Sequence, residues 1–435
     1  MTEISHARVL RIALPIVIAN ATIPILGAVD TGVVGQLGAA APIGAVGLGA
    51  IILASLYWVF GFLRMGTTGL VAQAKGAGDA AEVAANLSRA LLIGGTAGLA
   101  LIALQMPLFA AAFRLAPASA EVEALARDYL TIRIWGAPAT ISMYALTGWL
   151  IALERTRAVL AIQLWMNGLN IGLDLGFVLG LGWGVPGVAT ATLISEWSGL
   201  ALALWLARDA LLGGHWRRAA LVFNRARLVL MARVNSDIMI RSVLLQAAFT
   251  SFLFLGAGLG DTTLAANQVL AQFLSITAFA LDGFAFAAET LTGQALGARQ
   301  PKALRRAAIV TSKWGVGGAL LLAVFFWVFG PRLIDIMATA PEVRATARAY
   351  LPWLAAAPLI GIASWMLDGI FIGTTLTREM RNAMLASVAL YIGAVMVLLP
   401  AFGNHGLWAA LMVLNAARGL TMAAYYPRAE VRARA

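Results

Sequence analysis

Apolar positions run along this chain in long stretches separated by short polar connections. A bilayer's hydrocarbon core is about 30 Å thick and takes roughly 20 helical residues to cross. Reading each stretch between polar breaks predicts twelve helices. The first six lie at about 8–37, 42–72, 85–113, 125–152, 157–182 and 185–207, and the second six at about 226–257, 262–296, 303–330, 341–373, 379–400 and 403–425. Several exceed the bilayer thickness, which implies tilt or extension beyond it. The fold class is therefore an all-α polytopic membrane protein. Its expected organisation is a first lobe over 1–207, a polar linker over 208–225, a second lobe over 226–427 and a tail over 428–435.

Composition agrees with lipid as the solvent. Of 435 residues, 61% are hydrophobic and 12% charged. The 44 glycines are poor choices for soluble helices but let helix backbones approach closely in a membrane. A net charge of +11 would suit a nucleic-acid binder if it were concentrated on one surface, but the basic residues sit in short clusters between apolar runs. With the N-terminus inside, the termini and even-numbered connections hold 22 of them, including Arg8, Lys75, Arg89, Arg155, Arg227, Lys302, Arg378 and Arg432. The odd-numbered connections hold 5: Arg114, Arg127, Arg332, Arg344 and Arg348. That asymmetry places both termini in the cytoplasm of a bacterial-type inner membrane and calls for no nucleic-acid partner. The N-terminal run reads as a retained first helix rather than a cleaved signal. The chain has no cysteine, so thiol chemistry and thiolate metal sites are excluded. His6, His215 and His405 fall in polar connections and assemble no metal or nucleophilic constellation, so neither an enzyme nor a cofactor is expected.

The chain repeats itself at a separation of 221 residues. EVEALARDYL from Glu121 returns as EVRATARAYL from Glu342, and VAQAKGA from Val71 as TGQALGA from Thr292. Gly148, Ile151, Thr156 and Arg157 match Gly369, Ile372, Thr377 and Arg378. Six helices to a half is an even number, so both halves enter and leave on one side, and the repeats are parallel. Two such lobes suit alternating access, which a simple anchor or receptor does not need.

Ionisable residues at membrane depth cost at least about 2.5 to 3.5 kcal/mol, so each needs a partner or a purpose. The candidates are Asp30, Asp174, Glu196, Asp237, Asp282, Glu289 and Asp368. Counting along the helices at about 1.5 Å per residue puts Asp30, Asp174 and Thr192 in the outer part of the first lobe. Asn170, four residues before Asp174, shares its helix face. Two carboxylates, an amide and a hydroxyl at one depth offer oxygen ligands for Na⁺. They equally suit a proton, because neighbouring carboxylates in a low dielectric resist joint ionisation. A polar cluster that merely fixes helix contacts is the alternative. Pro15 and Pro24 interrupt the hydrogen bonding of the first helix and permit it to bend. In the second half, Asp237 and Arg241 stand i, i+4, the spacing either of a neutralising pair within one helix or of a pair lining the cavity for substrate. Asp282, Glu289 and Asp368 are candidates for lining the second lobe or a central cavity, and the many methionines and aromatics suit a broad, deformable one.

ALPIVIAN, VDTGVVGQLG around Asp30 and NGLNIGLDLGFVLGLGWGVPGVATATLISEW together resemble the multidrug and toxic compound extrusion (MATE) family. VNSDIMIRS, ALDGFAFAAETLTGQALGA and DGIFIGTT resemble its DNA-damage-inducible-F branch. The resemblance spans essentially the whole chain. It implies a V-shaped pair of six-helix bundles, acting as a monomer among membrane lipids and exporting amphipathic or cationic small molecules against H⁺ or Na⁺. It carries the family's ion-coupling set onto Asp30, Asn170, Asp174 and Thr192, and the first-helix bend onto Pro15. It carries the second-lobe carboxylate of other branches onto Asp368; the accompanying acid on the seventh helix has only Asp237, one turn from Arg241. Competing readings are a lipid-linked sugar flippase, whose cavity would be lined by cations, a channel, and a membrane enzyme.

Overall fold

The computed structural model describes residues 3–36, 39–214 and 218–434, without the side chains of residues 25–28, 30 and 31. Every element among them is helical. In the first half these are α1 (His6–Gly35), α2 (Ala40–Trp58) continued through a 3₁₀ turn into α3 (Phe62–Gly76), α4 (Ala80–Ala103) and α5 (Gln105–Leu115). They are followed by α6 (Ala120–Arg133) continued into α7 (Ala137–Ala152), α8 (Thr156–Asp174) and α9 (Gly184–Leu206). Two short helices, α10 (Arg208–Leu212) and α11 (Ala219–Val222), occupy the connection between halves. The second half contains α12 (Arg225–Ala257), α13 (Asp261–Gly297), α14 (Pro301–Met337), α15 (Pro341–Gly373), α16 (Thr377–Phe402), α17 (Asn404–Tyr425) and the short α18 (Pro427–Arg432).

Eleven of these segments are long and apolar enough to span a membrane; the fourth expected span, α6 with α7, is a full-length helical segment whose first turns are rich in charge. Two expected boundaries need correction. The run expected at 85–113 is two helices broken at Leu104, because Pro107 in α5 has no N–H to offer the preceding turn. Gln105 uses its side-chain amide to satisfy the carbonyl of Ile102 at 3.0 Å. Conversely, α14 does not stop before Pro331 but continues through it to Met337.

The repeat survives folding in register. Adding 221 to the bounds of α2–α3 gives those of α13, and adding it to those of α6–α7 gives those of α15. The tight turns match as well: Glu154 and Thr375, equivalent by the repeat, both take left-handed backbone angles (φ 62° and 49°), as do Gly78 and Arg299 (74° and 53°). The glycine contacts obey the same rule. Gly148 lies against the backbone carbonyl of Arg64 and Gly369 against that of Ala285, each too closely for a Cβ to fit.

The packing divides into two compact units. One comprises Ile18–Val71 and Asp79–Leu230; the other comprises Met1–Val17, Ala72–Gly78 and Met231–Ala435. In the latter, Phe252, Leu270, Phe326, Leu354, Trp408 and Leu411 form part of a dry core. Trp408 meets Phe252 edge-on at 4.9 Å and donates from Nε1 to Asn267, which is itself paired with Asn404 by two amide hydrogen bonds of 2.8 and 2.9 Å. Pairing buried amides in this way offsets the cost of withdrawing them from water. The opposite faces are apolar and exposed, as at Leu321, Val324, Trp327 and Val328 on α14 and Met396 and Val397 on α16. Such faces are those a membrane-spanning helix turns outward.

Candidate functional site

In the first half, α8 presents Asn167, Asn170 and Asp174 to the protein interior at intervals of three and four residues, and all three are buried. Asn170 donates from Nδ2 to Asp174 Oδ2 at 2.7 Å. Asn167 donates to Thr22 Oγ1 at 2.8 Å, tying α8 to α1, and accepts from Gln163 at 3.0 Å. Directly after Asp174 the helix widens into a π-helical turn, Leu175–Gly180, a distortion frequent at functional positions. Asp30 lies on α1, but its side chain is outside the described residues. Thr192, on α9, is half-buried and donates to the Val188 carbonyl of its own helix at 3.0 Å. The structure thus brings Asn170 and Asp174 together and turns the Thr192 hydroxyl back on its own helix. The boundary between the packing units crosses α1 after Val17, two residues past Pro15.

A second buried charge pair lies in the same unit. Arg133, at the end of α6, holds Glu196 of α9 at 2.7 Å, and Tyr57 donates to the Arg133 carbonyl at 3.5 Å. Gly136 leaves the space that Glu196 occupies; a Cβ there would strike the carboxylate. Sequence alone marked Glu196 as an acid needing a partner or a purpose and named no partner for it.

The second half overturns one expectation. Asp237 and Arg241 do not pair within their helix. Asp237 accepts from Arg381 Nη1 at 2.6 Å and from Thr377 at 3.2 Å, both on α16. Arg241 bonds instead to Asp368 on α15. Asp368 also accepts from Arg418 Nη2 of α17 at 2.6 Å, and Arg418 in turn bonds Asn415 at 3.2 Å. Two guanidiniums therefore converge on one carboxylate, with Arg241, Asp368 and Arg418 all at least nine-tenths buried. The spacing within α12 missed this because a long guanidinium reaches a neighbouring helix as readily as the next turn. A cation at Asp368 would have to compete with two guanidiniums already bonded to it. Glu289 is buried on α13 and Asp282, seven residues earlier, half-buried; both are engaged with neighbouring groups.

Among the described residues no three His, Cys, Asp or Glu side chains cluster as a metal site. His6 and His405 lie in the first turns of α1 and α17, not in connections, where each ring nitrogen accepts from a tryptophan: Trp314 at 3.1 Å and Trp353 at 3.0 Å. His215 lies outside the described residues. Arg89, counted as a loop charge, is 1% exposed within α4. It binds Glu82 at 2.7 Å and the carbonyls of Leu221 and Val222 at 2.7 and 2.8 Å, so it anchors the connection between halves. Outside the candidate spans, Arg155 and Asp209 pair at 2.5 Å, and the hydrogen bond from Arg155 holds the Asp209 carboxyl below its ordinary range.

The MatE family model matches residues 15–175 and again 238–398, once in each half of the repeat. The chain belongs to the MatE family. It is 38% identical over 421 residues to DNA damage-inducible protein F of Escherichia coli K12, covering 96% of this chain and 91% of that one. It is also 29% identical to a probable multidrug resistance protein NorM of Synechococcus, over 83% and 78% of the two chains. Solved structures share the fold. A MATE in the bent conformation superposes with a TM-score of 0.85 at 19% identity, covering 99% of both chains. An outward-facing multidrug resistance MATE transporter gives 0.82 at 20%, covering 99% and 97%. This MatE chain is accordingly a multi-pass membrane transporter handling small molecules.

Proposed function

We propose that this transporter exports amphipathic or cationic compounds in exchange for H⁺ or Na⁺, and that the ion is taken and released in the first half by Asp30, Asn170, Asp174 and Thr192. The reading rests on one observation above all: a fully buried carboxylate, Asp174, hydrogen-bonded to Asn170 on an inward helix face that abuts a π-helical turn. A carboxyl with an amide beside it supplies oxygens for a hard cation, and its neutral form is a proton carrier. In the second half the guanidiniums of Arg241 and Arg418 occupy the position an ion would take beside Asp368, which favours a single coupling site in the first half. Asp282 and Glu289 are then candidates for contact with the transported compound. Pro15 supports a bend in α1, because the helix divides between the two packing units just beyond it.

The chain works as a carrier, with no covalent step and no cofactor besides the coupling ion. It acts as a monomer in the lipid of the inner membrane, with both termini on the basic, cytoplasmic side. Names given to relatives support the substrate class: multidrug resistance for the NorM protein of Synechococcus. The test is uptake of a fluorescent lipophilic cation into inverted vesicles energised by a pH gradient or, separately, by a Na⁺ gradient. Uptake driven by one gradient and collapsed by the matching ionophore is expected. Equal equilibration under both gradients and under none would rule out coupled export.

A further inference from the structure

The two copies of one repeated motif, VAQAKGA from Val71 and TGQALGA from Thr292, are packed on each other. A Cβ built on Gly76 would stand 2.7 Å from the carbonyl carbon and 2.8 Å from the Cα of Gln294, and closer still to its carbonyl oxygen. A Cβ on Gly297 would stand 2.7 and 2.8 Å from the same two atoms of Gln73, and closer still to that residue's oxygen. Each glycine therefore seats on the glutamine three residues before the other glycine. The contact is reciprocal, as the repeat would make it, and all of it lies within one packing unit. The glutamine side chains tie the seat to its surroundings: Gln73 Nε2 donates to the Gly373 carbonyl at 2.9 Å and to Thr375 Oγ1 at 3.1 Å, while Gln294 Oε1 accepts from Arg8 at 2.9 Å. Gly293 completes it, since a Cβ there would meet the Ala72 Cβ at 2.7 Å and the Gly373 carbonyl at 2.9 Å.

The contact is made by backbone against backbone at the ends of α3 and α13 that adjoin the basic connections. Such a surface has no long side chain that could yield gradually; it is either seated or apart. The hydrogen bonds around it are readily exchanged for water when it parts. We propose that Gly76 and Gly297 are positioning residues of the transport cycle, a reciprocal latch that closes the basic end of the molecule in one state and separates when the site faces that side. The role rests on the exporter reading above, because only alternating access requires such a contact to break. A methyl group on either glycine would keep the latch from seating and shift the population toward the parted state.

The chain's lack of cysteine makes the test direct. Ala295, fully buried one residue past Gln294, is replaced in Ala295→Cys, and its modification by a charged maleimide is timed in the full-length protein in lipid nanodiscs. Gly76→Ala and Gly297→Ala are each expected to speed modification by about tenfold, the scale of a modest overpacking penalty. Gly95→Ala, a helical glycine with nothing within 4 Å of a built Cβ, leaves the rate unchanged. Ala145→Cys, buried in the first half, distinguishes parting from unfolding, because only unfolding exposes it. Should both alanine variants unfold, Gln73→Leu decides: it removes two hydrogen bonds without adding bulk at either glycine and is expected to raise the Ala295→Cys rate about threefold. An unchanged rate in folded Gly76→Ala and Gly297→Ala, or in Gln73→Leu where that variant decides, overturns the latch whatever the chain transports. A raised rate in a protein that moves no compound supports the latch and tells against the exporter reading.

Discussion

Removing the carboxylate of Asp368 leaves Arg418 and Arg241, 2% and 7% exposed, facing each other with no acid between them. Breaking a buried ion pair from one side costs about 3 to 5 kcal/mol, because the surviving charge stays desolvated. Here two charges survive, so Asp368→Asn is expected at the upper end of that range. Arg241→Gln is the instructive comparison. It leaves Asp368 paired one-to-one with Arg418 and forfeits a single charged hydrogen bond, about 1.5 to 3 kcal/mol. The double variant Asp368→Asn/Arg241→Gln should be less damaged than the sum of the two, since only one guanidinium then lacks a partner; residues in one network couple by about 0.5 to 3 kcal/mol. The assay is thermal unfolding of the purified protein in detergent, repeated with Na⁺ replaced by choline. Asp368→Asn unfolding first, Arg241→Gln second, and no Na⁺ effect traceable to Asp368 is the expected pattern. A Na⁺-dependent stabilisation of the native protein that disappears in Asp368→Asn would refute the reasoning, because it would mean that the carboxylate binds a cation its two arginines should exclude.

The repeat predicts matched penalties elsewhere. Gly148→Ala and Gly369→Ala each force a Cβ onto a helix backbone in equivalent places, so each should cost about 1 to 3 kcal/mol in the same unfolding assay, and a neutral result at either would dispute the packing. Arg89→Ala removes the closer of two arginines at Glu82, leaving Arg227 at 3.7 Å, and releases two carbonyls of the connection between halves; about 2 kcal/mol of destabilisation, with proteolytic nicking near residues 218–222, is expected. The Arg155–Asp209 bridge has a depressed carboxyl on the folded side, so its contribution is present above the ordinary carboxylate value of about 3.9 and is lost as pH falls through the lower folded value. Amide exchange over Arg208–Leu212, corrected for intrinsic rate, should rise only in that acid range, and Asp209→Asn should show no such step.

The fold was largely legible because crossing a membrane imposes a coarse rule, long apolar runs, and because the repeat divided those runs into two matching sets. Where local backbone chemistry outweighed hydropathy, the reading slipped: Pro107 split one expected helix, while Pro331 failed to end another. Asn170 and Asp174 were legible together because they share one helix face, and their hydrogen bond lies within a single helix. Arg133 with Glu196, and Arg241 with Asp368, were not, because each pair joins two helices whose rotation about their axes the sequence does not specify. The recurrence of Gln73 and Gly76 at Gln294 and Gly297 was visible as a repeat, but that the two copies touch is a property of the fold.

Efflux in a pump-deficient bacterial host, with expression checked, tests the first-half coupling site most directly. Asp30→Asn and Asp174→Asn, each of which removes one ionisable oxygen pair while preserving size, should leave the protein in the membrane and abolish efflux of a lipophilic cation. Full efflux by either variant, at native expression, would contradict ion coupling at these carboxylates.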